Sequence, residues 1–415
     1  MHRRVVITGI GPVTIAGIGA AELFANLLNG IDVAREIEID LPYKNRSSFY
    51  VPLPEVEISH YGIARYYKFL QPEDKMAIIG AKLALQDAGI EQAGDEQAFA
   101  DIEDACIVLG TGFSGLEPAF FSYLSHLGHE YTARATNRKV NFNRMVIPML
   151  MPSSPAAWIS ILLGVKGESY TLNTACASGT FAIGEAFRKI RFGLADMAIT
   201  GGVENLHDEN YAIFRGFDSL GALTRSSQGQ AFSQDRSGFL FAEGGCCVLV
   251  LEELGRAKRR NARIYAEVLD YQANSDAHHI VKMEPDGKQV TALLGSFASR
   301  HKIDYLNSHG TGTIPNDKIE AQSIQDVFGA MSAQPFINST KAVLGHTIGA
   351  SGAIEAAVTA LSIFNGKIHP NRISNPMVNL NLATRIIEQP LDRALSVSYG
   401  FGGHNAGILL GKLDE

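Results

Sequence analysis

A two-part α/β protein is what this sequence predicts, and three observations carry that expectation. Short β-rich runs alternate with amphipathic helical runs along the chain. The strand-like runs are apolar almost throughout, as in sheets covered by helices on both faces. The alternation then begins again after residue 255, so residues 1–255 and 256–415 read as two similar halves.

In the first half, "RRVVITGIG", "DACIVLGTG", "ESYTLNT", "MAITGG" and "CCVLVLEE" read as strands. "DKMAIIGAKLALQDAGI" and "GTFAIGEAFRKIRFG" read as helices. The second half repeats the pattern with "RIYAEVLDYQA", "IDYLNSHGTG", "IEAQSIQDVFG", "GASGAIEAAVTALSIFNG", "ALSVSYGFGG" and "AGILLGKL". No low-complexity linker separates the halves, so one body is expected.

The composition excludes several classes. With 415 residues, 46% hydrophobic and 19% charged, the chain has the make-up of a globular protein with a large core. A net charge of -7 offers no global attraction to nucleic acid or to an anionic membrane. The four cysteines, Cys106, Cys176, Cys246 and Cys247, are too few for a disulfide scaffold and lack zinc-site spacing, which points to the cytoplasm and to no metal. Gly9, Gly11 and Pro12 break the opening apolar run as a signal peptide. The uncharged stretch between Arg144 and Lys166 carries Pro148, Pro152 and Pro155, so it reads as a buried helix starting near Ser153, with no membrane span.

Gly110, Gly112 and Gly115 have the spacing of a dinucleotide fingerprint, but Pro118 and a cluster of aromatics follow where a long helix is needed. Cys176, in "YTLNTACASGTFAIG", lies between an extended run and a helical one. A helix start there would aim unpaired N–H groups at the thiol and lower its pKa. Taken locally, Cys176 is either a small buried hydrophobe, as the other three cysteines are read, or a nucleophile. Two of the twelve histidines, His309 and His346, sit in Gly-rich turns after strands, where open α/β sheets place ligands, and Lys341 lies five residues before His346.

"NTACASG", "NSHGTGT", "STKAVLGH" and "SYGFGGHNAG", in that order, closely resemble the β-ketoacyl-acyl-carrier-protein synthases of the elongating type, in the thiolase-like superfamily. The resemblance runs from "VVITGIG" through "DRSGFLFAEGG" to "GFGGHN". It implies a duplicated, five-layered α-β-α-β-α fold, usually dimeric. It also implies Cys176 as acyl-accepting nucleophile, His309 and His346 as the pair that binds the malonyl thioester, and Lys341 as the accompanying lysine. The backbone N–H groups of Cys176 and Phe401 would form an oxyanion hole, with Phe401 and Gly402 in a mobile gate. Thr111, Phe113, Thr311 and Thr313 are expected to contact substrate, while Met149, Met151 and Trp158 read as core packing, with a place beside the acyl chain as the alternative. Asp317 and Glu320 are expected to support this layer, Glu320 by pairing with Lys341.

The resemblance further implies no cofactor bound by the chain, substrates carried on the phosphopantetheine of an acyl carrier protein, and a homodimer or a heterodimer with a chain-length-factor-like homologue. Arg65, Lys68, Arg138 and Lys139 are the candidates for docking an acidic carrier protein. A thiolase would need a second cysteine near the C-terminus, and none follows Cys247; a chain-length factor would lack Cys176; a papain-like protease would show a different cysteine motif. "FLFAEGG", "HHIVKMEPDGKQ" and His404 in place of the usual Thr favour a type II polyketide enzyme, with a housekeeping fatty-acid enzyme as the alternative.

Overall fold

The computed structural model describes residues 2–37, 47–90, 99–113, 146–208 and 211–414. The first half supplies β1 (Val5–Thr14), β2 (Cys106–Gly110), β3 (Ser169–Leu172), β4 (Met197–Asn205) and β5 (Gly244–Glu253). The second supplies β6 (Ala266–Ser275), β7 (Tyr305–Asn307), β8 (Phe336–Asn338), β9 (Arg393–Gly400) and β10 (His404–Gly411). Their order across the sheet is β8-β7-β9-β10-β6-β1-β5-β4-β2-β3. Read outward from the middle, each half places its first, fifth, fourth, second and third strands in succession. The parallel pairs also correspond, β2 with β3 and β4, and β7 with β8 and β9. The two halves join where β1 meets β6 antiparallel, Val5 opposite Val268.

The helices that build the layers include α1 (Pro72–Asp87), α2 (Ser154–Leu163), α3 (Ser178–Arg191), α4 (Lys288–Ala298), α5 (Ile314–Phe328) and α6 (Ser351–Asn365). Because side chains alternate along a strand, Ile107 and Leu109 of β2 pack with Ile79 and Ile159 of α1 and α2, while Cys106 and Val108 pack with Ile183 of α3 and Ile354 of α6. Leu395 and Val397 of β9 pack with Leu294 and Ile324 of α4 and α5. The central pair α3 and α6 therefore lies between the two halves of the sheet, and the five-layered α/β expectation is met. Cys106, Cys246 and Cys247 are core residues, and burial pushes their thiols up, Cys106 to about 11.

Gly110, the start of the false dinucleotide motif, has a packing role. A Cβ built on it would lie 2.3 Å from the backbone of Ser178, so α3 reaches the end of β2 only because no side chain intervenes. Gly115 and Pro118 lie outside the described residues. The stretch after Arg144 contains the ten-residue helix α2, with its start at Ser154 and Pro155 in its first turn. Gly110→Ala is expected to push α3 off the sheet and cost about 2–3 kcal/mol, read as a lower urea midpoint; an unchanged midpoint would contradict the close approach.

Candidate active site

Cys176 sits in the single tight turn Ala175–Ala177 that leads into α3. The local sequence builds that turn. Asn173 Oδ1 accepts the Ala175 N–H at 3.0 Å, Ser178 Oγ accepts the Thr174 N–H at 2.9 Å and donates to the Ala175 carbonyl at 2.7 Å, and Ala175 has φ 51°. The N–H groups of Phe401 and of Cys176 itself are directed at the thiol. The expectation of a lowered thiol pKa is corrected: burial pushes Cys176 up to about 11, outweighing the Lys341 charge and both amides. The thiol is enclosed, and the cost of desolvating its anion exceeds what the amides and the Lys341 charge return.

His309 follows β7 and His346 lies just ahead of α6; both rings are buried, 5.5 Å apart between centroids and nearly perpendicular. Burial, then the Lys341 charge, holds both well below the ordinary histidine range, so both are neutral near pH 7. The Ile348 N–H points at His346 Nδ1 at 3.3 Å, which leaves the ring proton on Nε2. His309 Nδ1 is buried without a hydrogen-bond partner among the described residues, its ring held between His346 and Tyr399.

Lys341 pairs with Glu355, not with Glu320 as the sequence suggested, and both members are buried. Glu320 is occupied elsewhere: its carboxylate accepts the N–H groups of His309 at 2.9 Å and Gly310 at 2.8 Å, stiffening the histidine's own backbone. Burial pushes both carboxyls up to about 7. Asp317 is likewise buried, accepting from Phe232 N–H at 2.6 Å and Gly312 N–H at 3.1 Å.

Phe401 and Phe113 share one apolar cluster with Cys176, Ile348, Phe217 and Phe239. Gly402 and Gly403 have φ of 84° and 79°, so the turn after Phe401 needs residues without a Cβ. The ring of His404 lies against Gly402 and edge-on to Phe181. Thr111 is buried with its carbonyl accepting from Ser178, and Thr311 and Thr313 bond each other at 2.9 Å. Trp158 does not join this cluster; it packs on Tyr66 in the outer layer, while Met151 is 41% exposed. Lys68 is exposed; Arg138 and Lys139 lie outside the described residues, as does the side chain of Arg65.

Two carboxylates and one repeat went unread in the sequence. Glu355 is the sole Asp, Glu, Lys or Arg between Lys341 and Lys367, a signal that it is buried and paired. Glu204, at the end of β4, accepts the N–H groups of Gly112, Phe113 and Gly349. The segments Thr174-Ala175-Cys176-Ala177-Ser178-Gly179 and Thr347-Ile348-Gly349-Ala350-Ser351-Gly352 are one motif used twice. Each forms a tight turn with one left-handed residue, Ala175 or Ile348, and a serine that accepts the N–H of its threonine, at 2.9 Å and 3.1 Å. Gly349 occupies in the second half the place of Cys176 in the first.

Known proteins share both the sequence and the fold of this chain. Residues 2–257 match the family described as "Beta-ketoacyl synthase, N-terminal domain", and residues 265–374 match "Beta-ketoacyl synthase, C-terminal domain". The chain is 32% identical over 431 residues to 3-oxoacyl-[acyl-carrier-protein] synthase 2 of Staphylococcus aureus strain N315, covering 100% of this chain and 99% of the relative. Among solved structures, a β-ketoacyl synthase from Burkholderia phymatum STM815 superposes with TM-score 0.84 at 27% identity, covering 99% of this chain and 100% of the other. The ishigamide ketosynthase/chain length factor does so with TM-score 0.82 at 28% identity, covering 100% of both chains.

The buried, protonated thiol has a measurable consequence. Iodoacetamide labelling of Cys176, followed by peptide mass spectrometry, should accelerate by about tenfold per pH unit from pH 7 to pH 10, with no plateau below pH 10. A plateau at or below pH 8 would mean that the amides and Lys341 prevail over burial.

Proposed function

The chain belongs to the β-ketoacyl synthase family, whose members are acyltransferases that form carbon–carbon bonds, and from that premise we propose how its own residues carry out a decarboxylative condensation. One observation carries the reading: Cys176 shares an apolar cluster with Phe239, the Phe239 ring packs on His346 at 5.2 Å, and His346 packs on His309 at 5.5 Å, so thiol and histidines gather around one small site.

In the first half-reaction the Cys176 sulfur attacks an acyl thioester delivered on the phosphopantetheine of an acyl carrier protein. A new S–C bond forms, and the carrier thiol leaves with the proton. The Phe401 and Cys176 N–H groups, which face the sulfur, donate to the oxyanion of the tetrahedral intermediate. In the second, malonyl carrier enters, its C–COO⁻ bond breaks to release carbon dioxide, and the resulting enolate attacks the acyl carbonyl. The Cys176 sulfur departs and is reprotonated, so one proton is consumed per condensation. His346, with its proton on Nε2, and neutral His309 donate hydrogen bonds to the enolate oxygen, each worth about 3 kcal/mol of barrier in a dry site. Neutral rings suit this role, because an imidazolium would give its proton away and quench the enolate.

On this reading residues 1–255 supply the nucleophile and residues 256–415 the decarboxylating pair. Phe401 gates entry, swinging on Gly402, and the cluster around Phe113 receives the acyl chain with Thr111 behind it. Thr311 and Thr313 meet the pantetheine arm, and Lys68 belongs to the carrier dock. The likeness to the ishigamide ketosynthase/chain length factor and the His404 departure support a type II polyketide role in the cytoplasm with a cysteine-less partner. The similarity to 3-oxoacyl-[acyl-carrier-protein] synthase 2 favours a second reading, a fatty-acid enzyme acting as a homodimer. Expression with and without a cysteine-less homologue separates them: activity and dimer formation by the chain alone favour the second.

His309→Ala and His346→Ala are each expected to lower malonyl decarboxylation by about a hundredfold while leaving acyl transfer to Cys176 within about threefold of wild type. Radiolabelled carbon dioxide release and intact-protein mass measure the two steps, with Cys176→Ala, which should carry no acyl adduct, as the control. Undiminished carbon dioxide release by both histidine variants would overturn the assignment.

A further inference from the structure

We propose that Glu204 is a positioning residue for malonyl decarboxylation and for the choice of acyl chain, clamping the loop that walls the acyl chain to the turn that orients His346. This rests on the ketosynthase reading above and adds to it a residue that neither touches substrate nor lies in any of the four motifs.

The Glu204 carboxylate, at the C-terminal end of β4, is fully buried. Its Oε2 accepts the N–H groups of Gly112 at 2.8 Å and Gly349 at 2.9 Å, and its Oε1 accepts that of Phe113 at 2.9 Å. Three backbone donors converge on one side chain from two segments more than 200 residues apart in sequence. Gly112 and Phe113 continue from β2. Phe113 belongs to the apolar cluster that contains Cys176, Ile348 and Phe401. The Gly112 carbonyl accepts from Asn173 Nδ2 at 2.8 Å, and Asn173 Oδ1 in turn holds the Ala175 N–H at 3.0 Å, so the clamp extends to the cysteine turn. Gly349 lies beside Ile348, whose N–H sets the proton of His346.

The chemistry of the anchor is specific. A carboxylate is the side-chain group that accepts on both oxygens and donates nothing, so it satisfies three N–H groups without conflict, and those three donors favour the ionised form against burial, which pushes the carboxyl up to about 7. An amide in its place turns an NH₂ toward at least one of those donors and leaves it unsatisfied. The segment displaced is either the Phe113 wall or the His346 turn. A shift of about 1 Å in either is enough to cost about a hundredfold in a reaction that depends on alignment.

Glu204→Gln in the full-length protein tests this, assayed with acetyl, long-chain acyl and malonyl carrier proteins. With the fold retained by thermal unfolding, acetyl transfer to Cys176 should stay within about threefold of wild type. The kcat for malonyl decarboxylation should fall at least about tenfold with KM changed by less than about threefold, and the preference between long and short acyl chains should change by about tenfold. A folded variant whose kcat and chain-length preference both stay within about threefold of wild type overturns the proposal. Should Glu204→Gln not fold, Glu204→Asp, which keeps the charge but withdraws it by one methylene, is read against the same thresholds. In the wild-type protein the Gly112, Phe113 and Gly349 amides should exchange with deuterium as slowly as the strands of the sheet, and exchange at the rate of exposed loops overturns the clamp whatever the variants do. Absence of carbon dioxide release by the wild type would instead refute the ketosynthase reading, and amide exchange would still decide the clamp.

Discussion

The buried ion pair between Lys341 and Glu355 is the interaction on which the site depends. Both groups lie in the middle of the protein, where either charge alone would cost several kcal/mol to bury. Glu355 stands one turn into α6, the helix that also begins at Ser351 beside His346, so the pair ties Lys341 to the central layer. A single uncompensated removal in such a pair costs about 3–5 kcal/mol, which is why the two must be kept or lost together. Holding a positive charge there has electrostatic reach. It disfavours protonation of both histidines and favours the anion at Cys176, three effects of one sign on the chemistry proposed for the site.

Dryness sets the rest of the electrostatics. Burial raises the thiol and the carboxyls of Glu204, Glu320 and Glu355, and lowers the imidazoles. Every group is thereby pushed toward its neutral form; Lys341 reinforces this at the histidines and opposes it at the thiol, Glu320 and Glu355, where backbone N–H groups oppose it at the thiol, Glu204 and Glu320. Two of the carboxylates, Glu204 and Glu320, spend their oxygens on amides of the loops that carry functional residues. These carboxylates hold backbone, and the proposed reaction is left to neutral donors and a neutral nucleophile. Such an arrangement gives little energy to the resting state and reserves its donors for charge that develops on the substrate.

The duplication explains how two halves build one site. Each half ends its fourth strand near the centre and begins its central helix with the same Thr-x-x-Ala-Ser-Gly turn. In the first half the turn presents a thiol; in the second the equivalent position is Gly349, whose missing side chain lets its N–H reach Glu204 of the first half. Equivalent turns have thus diverged into one that reacts and one that is anchored. The histidines come from loops of the second half alone, so neither half contains the full constellation.

Much of this was legible in the amino-acid order. Strand and helix periodicity, the apolar character of the strands and the restart after residue 255 determined a duplicated α/β protein, because these patterns reflect burial along one element at a time. The four motifs likewise carried the family resemblance that implies roles for Cys176, His309, His346, Lys341 and Phe401, because each motif is a run of only a few residues. What lay beyond the sequence were relations between distant segments. Lys341 chose Glu355 over Glu320 because Glu320 was already committed to two backbone amides. The thiol's protonation state followed from enclosure by both halves, against the pull of the helix start. Periodicity and turn chemistry act over a few residues and can be read there; the partner of a buried charge, and the water excluded around it, are decided only when remote strands and helices meet.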